Sequence, residues 1–137
     1  MRIPTATYRI QFHSGFKFEA AKKIIPYLVD LGITDIYASP IFKARAGSTH
    51  GYDIVDPTQI NPELGTPEYF ESLVKEIKKY DMGWVQDIVP NHMAYDSQNA
   101  WLIDVLENGH DSESFDFFDI EWERAYEDII SNPVASE

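Results

Sequence analysis

"GWVQDIVPNH", residues 83–92, decides how the chain is read. Met82, Trp84 and Val85 form an apolar run that reads as a buried strand, and Asp87, Pro90, Asn91 and His92 follow where it ends. A carboxylate, an amide and an imidazole crowded at one strand end suggest a site. The suggestion gains weight only if the strand belongs to a parallel sheet, whose carboxyl edge is where ligands bind.

The residues upstream point to such a sheet. "TATYRIQF" (5–12) is rich in β-branched and aromatic residues and predicts a strand. In 18–32, Phe18, Ala21, Ile25, Leu28 and Leu31 share one helical face. Pro26 should kink or restart that helix, and Gly32 should end it. "ITDIYASPIF" (33–42) predicts a second strand, stopped at Ser39-Pro40. Residues 43–67, with Pro57, Pro62, Pro67 and Gly47, Gly51, Gly65, predict a long loop of turn chemistry. A loop of that length in a compact domain is more often functional than idle. A clean helix follows: Thr66 as cap, Pro67 at the first position, and Phe70, Leu73, Val74 and Ile77 at helical spacing. Strand, helix, strand, loop, helix, strand is an α/β order. It implies parallel strands joined by right-handed crossovers.

Composition sets the outer bounds. The chain has 137 residues, is 44% hydrophobic and 14% aromatic, and has no cysteine. That suits a core and excludes a disulfide framework or a thiolate metal site. No apolar run is long enough to span a membrane, and no signal peptide is visible, so a cytoplasmic protein is the expectation. The net charge of −12 argues against nucleic acid. Residues 1–94 carry a net −1 and residues 95–137 a net −11. This split suggests a balanced module followed by an acidic tail, with a helix at about 98–108 and then an aromatic-rich segment. The tail reads either as a solvated surface or as a docking tail for a basic partner.

Asp87, Asn91 and His92 admit three readings. Their ligand types suit a metal, although three groups in six residues are too few to close a shell. Asp87 and Asn91 could simply bond the turn after the strand. Or the group is a polar sugar site, with His92 donating to a hydroxyl. "GSTHGYD" (47–53) adds His50, Tyr52 and Asp53 between glycines, with Lys43 and Arg45 just before it as charged donors. A tyrosine ring offers a flat face for a pyranose, or else anchors the loop.

The span 33–94 resembles the start of an α-amylase-superfamily barrel, and "DIVPNH" is similar to the superfamily's strand-three signature. More specifically, "TYRIQF", "YASPIFKARAGSTHGYD", "NPELG" and "WLIDVLENG…FFDIEW" resemble the maltooligosyl trehalose synthase family. The resemblance implies a partial (β/α)8 barrel, about its first three β/α units, in residues 1–94. It implies a maltodextrin partner and retaining chemistry that turns a reducing-end α-1,4 bond into the α,α-1,1 bond of trehalose. It implies that Tyr52 stacks under the sugar, that His92 bonds its hydroxyls, and that Asp87 and Asn91 support the site. It implies no cofactor, and calcium is not assigned to this branch.

The same family places its nucleophile, acid/base and transition-state aspartate after strands four, five and seven. No position here matches them, so no catalytic residue is assigned, and the chain alone is expected to be inactive. An amino-terminal part of such an enzyme is the leading expectation. A standalone maltodextrin-binding or interaction module is the second, and a small unrelated enzyme using His92 with Asp87 or His50 is the third. An open three-stranded sheet has bare edges. Self-association through them, or cover by the tail helix through Trp101, Leu102, Val105 and Leu106, is the expected remedy.

Overall fold

The computed structural model describes residues 3–122; the last part of the acidic segment, 123–137, lies outside them. The chain divides into two compact units between Ala100 and Trp101. In the first, β1 (Thr7–Ile10), β2 (Asp35–Ala38) and β5 (Gly83–Gln86) form a parallel sheet in the order β1-β2-β5. Tyr8, Ile36 and Trp84 align across it, as do Arg9, Tyr37 and Val85. Alternate residues therefore serve opposite faces.

Helices α1 (Phe18–Asp30) and α2 (Pro67–Lys79) pack against one another. Phe18, Ala21, Ile25 and Leu28 of α1 and Leu73 and Ile77 of α2 join Ile10, Phe12, Ile36, Ala38 and Met82 in one core. Both helices end in the same way. Gly32 (φ 86°) donates to the Val29 carbonyl at 2.9 Å, and Ile33 donates to the Leu28 carbonyl at 3.0 Å. Asp81 (φ 54°) and Met82 repeat the pattern with the Lys78 and Ile77 carbonyls, both at 3.1 Å. Paired Schellman caps thus turn each helix directly into the next strand.

Three details differ from the sequence reading. Pro26 neither splits nor restarts α1, which runs through it as one helix. It sits on the solvent side, where water can satisfy the carbonyl that loses its donor. Thr66 is the N-cap residue of α2 with Pro67 after it, as expected, but its side chain makes no cap bond. The predicted loop also holds an antiparallel pair, β3 (Phe42–Ala44) and β4 (Ile54–Ile60), and a 3-10 turn at Pro62–Leu64. Turn residues hid this pair because Pro57 lies within β4, where register shifts absorb it. Asp56 helps by accepting from Thr58 N at 2.9 Å and Thr58 Oγ1 at 2.6 Å.

The third strand is also less buried than its sequence suggests. Met82 is buried, but Val85 is 39% exposed. Val85 faces away from the helices, and β5 is an edge strand among the described residues.

The helix α3 (Ala100–Asn108) buries Leu102 and Val105, whereas Leu106 is exposed. In the second unit Trp101 stacks on Phe117 with centroids 4.8 Å apart. Phe115, His110 and Trp122 form a further ring cluster. Asp104 accepts from the Ser112 hydroxyl and from Asn108 Nδ2 at 2.8 Å, which hold its carboxyl below the usual range. Among the described residues no helix is long and apolar enough to cross a membrane.

Phe18 is fully buried, with its ring 5.3 Å from Phe12 and 5.2 Å from Phe70. Truncating it leaves a cavity where three segments meet. Phe18→Ala should cost about 3–5 kcal/mol in urea denaturation, and a loss below about 1 kcal/mol would show that the core can collapse around the gap.

Candidate functional site

Strand alternation places Arg9, Tyr37 and Val85 on the face that the helices leave open. Asp87 continues that face beyond β5. Its amide donates to the Ala38 carbonyl at 3.0 Å, and Gln86 Nε2 donates to the Asp87 carbonyl at 2.7 Å and the Ser39 carbonyl at 3.0 Å. The backbone under Asp87 is thereby fixed at the carboxyl edge of the sheet.

Three donors converge on one oxygen of its carboxylate. Tyr52 Oη donates to Asp87 Oδ2 at 2.5 Å, an Arg9 terminal nitrogen at 3.2 Å and Tyr37 Oη at 3.3 Å. The other terminal nitrogen of Arg9 donates to Tyr52 Oη at 2.8 Å, and the guanidinium lies 4.6 Å from the Tyr37 ring centre. The hydrogen bond from Tyr52 is the main reason the Asp87 carboxyl is held below its usual range; burial opposes this, and Arg9 and Tyr37 add to it. The Tyr52 phenol is pushed up, chiefly because ionisation would cost its bond to Asp87. Burial works against the Arg9 charge, but its bonds to Tyr52 and Asp87 outweigh that and raise its pKa.

The loop that carries Tyr52 is held just as firmly. Gly51 has φ 78°, and a Cβ there would lie 2.8 Å from the Pro40 carbonyl oxygen, so only glycine fits without strain. Its amide donates to Ser48 Oγ at 3.0 Å, and that hydroxyl donates to Asp53 Oδ1. Tyr52 N donates to His50 Nδ1 at 3.1 Å, which leaves Nε2 of the half-exposed ring as the donor toward solvent. The His50 and Tyr52 rings stack at 6.0 Å. Gln11 Nε2 reaches the His50 carbonyl at 3.1 Å and ties the loop to β1. Arg45 Nε lies 3.4 Å from Asp53 Oδ2, near enough to attract but not aligned as a hydrogen bond, so that buried oxygen lacks a protein donor.

The structure thus brings Tyr52 and Asp87 together, with His50, Asp53 and Arg45 beside them. Asn91 and His92 are exposed and paired with one another, Oδ1 to Nδ1 at 3.1 Å. Lys43 lies on β3 opposite Asp56 in register, and among the described residues it pairs with none of the cluster. No group of three or more acidic or histidine side chains converges as a metal site among the described residues. Sequence reading missed Arg9, Gln11, Tyr37 and Gln86. The signal was present: Arg9 and Gln11 are alternate residues of one predicted strand, so they share the face and end on which a site would lie.

The cluster offers acceptors, cationic donors and a tyrosine ring, the chemistry that holds a polyhydroxylated ligand. Comparison with known proteins identifies the family. The α-amylase catalytic-domain family matches residues 21–135. The chain belongs to that family. It is 44% identical over 125 residues to a Mycobacterium tuberculosis protein named for maltooligosyl trehalose synthase, covering 86% of this chain and 16% of that one. The solved maltooligosyltrehalose synthase of Arthrobacter ramosus is 42% identical, with a TM-score of 0.86, over 90% of this chain and 16% of that one. The Bacillus subtilis intracellular maltogenic amylase is 41% identical over 96 residues, 70% of this chain and 16% of that one. The chain therefore spans about one sixth of the length of these relatives. Within the amylase fold it forms a partial α/β piece with parallel strands.

A carboxyl held low stabilises the fold above its unfolded value, about 3.9, and the contribution is lost as pH falls through the lower folded value. The raised Tyr52 phenol contributes below about pH 10 and loses its contribution as pH rises through its higher folded value. The urea midpoint of the native chain should therefore drop more than that of Asp87→Asn between about pH 6 and about pH 3. Equal drops would mean that Asp87 is not coupled to the fold.

Proposed function

We propose that this chain supplies the first three β/α units and the sugar-facing rim of a cytoplasmic transglucosylase. That enzyme would convert the reducing-end α-1,4 bond of a maltodextrin into the α,α-1,1 bond of trehalose. The observation that carries the reading is the gathering of Arg9, Tyr37 and Tyr52 on Asp87 at the carboxyl edge of three parallel strands. Similarity to the two trehalose synthases selects this branch over other amylases. In this reading Tyr52 presents its ring to the glucose beside the reacting bond. His50 Nε2 and His92 donate to sugar hydroxyls, with Lys43 and Arg45 as charged donors at the rim. Asp87, Asn91 and Asp53 hold these groups in place.

Retaining transfer needs a nucleophilic carboxylate and a carboxylic acid/base about 5 Å apart across the bond. The cluster's own carboxylates serve as acceptors within it, Asp87 for three donors and Asp53 for the Ser48 hydroxyl, with Arg45 beside its other oxygen. We therefore read the chain as binding glucan without transforming it. Its open sheet edges are the surfaces where further strands, or a second copy, would add.

A second reading is a standalone maltodextrin-binding module. It is favoured by one fact: Asp87, Tyr52 and Arg9 bond one another within residues 3–100.

Incubation with maltopentaose, scored for non-reducing trehalosyl ends, should yield no product even at high protein concentration. Any product above background would mean that other carboxylates perform the transfer. In parallel, Tyr52→Ala should weaken maltoheptaose binding by roughly three- to tenfold if the ring stacks on glucose. Unchanged affinity would leave Tyr52 as a loop anchor only.

A further inference from the structure

We propose that Arg9 is a positioning residue: its two terminal nitrogens bridge the Tyr52 hydroxyl and the Asp87 carboxylate, and this bridge fixes the tyrosine ring for a glucose to stack on. The inference deepens the maltodextrin reading above and rests on it. Arg9 is 43 residues from Tyr52 and 78 from Asp87 in the chain, so no local geometry brings the three together. The contacts divide cleanly between the two ends of the fork, 3.2 Å to Asp87 and 2.8 Å to Tyr52. The Tyr37 ring at 4.6 Å and Gln11 Oε1 at 3.4 Å add two further contacts that hold the guanidinium in place, although the side chain is 36% exposed. A planar fork meets two acceptors at once, which a single ammonium does less well.

The charge matters as well as the shape. Without a cation, the two phenol hydroxyls of Tyr52 and Tyr37 alone would have to hold Asp87 ionised on a partly covered sheet face. Arg9 favours ionisation of both partners, drawing the Asp87 carboxyl down and opposing the upward push on the Tyr52 phenol. Removing it should therefore move both groups in the same direction.

The test uses the full chain with Arg9→Gln and Arg9→Lys, each first confirmed as folded by circular dichroism. The Asp87 carboxyl is titrated by carbon-13 NMR. The Tyr52 phenol is titrated by ultraviolet absorbance, as the difference from Tyr52→Phe in the same background. Binding is read with maltoheptaose. In Arg9→Gln both groups should titrate at higher pH than in the native chain, and maltoheptaose Kd should rise about tenfold. In Arg9→Lys the Asp87 titration should recover in part while affinity does not, because the charge returns without the fork. A role confined to fold stability would lower the denaturation midpoint and leave both titrations in place, which would overturn the proposal. So would shifted titrations with an unchanged Kd. If the native chain itself fails to bind maltoheptaose, the functional reading falls, and the two titrations alone decide whether Arg9 clamps the pair. Should Arg9→Gln not fold, Arg9→Lys decides: full recovery of affinity would overturn the need for a fork.

Discussion

A single carboxylate oxygen, Asp87 Oδ2, organises the open face of this chain. Its donors come from three separate segments: Arg9 on β1, Tyr37 on β2 and Tyr52 on the loop between β3 and β4. Each donor alone would be a modest surface contact. Together they form a polar network on a face that, among the described residues, lacks the apolar cover given to the other side by α1 and α2. The parallel sheet sets the register, and the carboxylate sets what that register presents to a ligand.

The two faces divide the work of the sequence. Tyr8, Ile36 and Trp84 align on the helix side, with Ile36 and Trp84 reaching the core. Arg9, Tyr37 and Val85 align on the other, one residue away in each strand. A slip of one residue in any pair would exchange core and site together. Function and stability are therefore specified by the same alternation, which explains why so small a sheet can hold a polar cluster in place.

Much of this was legible beforehand, and the reasons are particular. The helical spacing of Phe18, Ala21, Ile25 and Leu28 predicts a buried face, and those residues are all buried, whereas Leu31, read onto the same face, lies just past the helix end and is 55% exposed. Gly32 marks a helix end because it needs a positive φ, whereas Asp81 plays the same part at φ 54° without glycine to announce it. The β3–β4 pair stayed hidden because Pro57 and the turn residues outweighed the short apolar signal of Ile54 and Val55. Asp87 and Tyr52 stood out through their motifs. Arg9 did not: its alternation with Gln11 marks the face and strand end it shares with a site, but its partners, 43 and 78 residues away, leave no local pattern.

The fit of Gly51 against Pro40 has one further consequence. With the glycine at positive φ, its amide on Ser48 and Gln11 tied to the His50 carbonyl, the 47–53 loop is ordered before any ligand arrives. The conformational entropy of that loop is lost during folding rather than on association. In the proposed function, a glucan would meet a loop that folding has already ordered. Encounter would be governed by diffusion and orientation rather than by a closing motion, and selectivity would come from how fast a poorly matched sugar leaves.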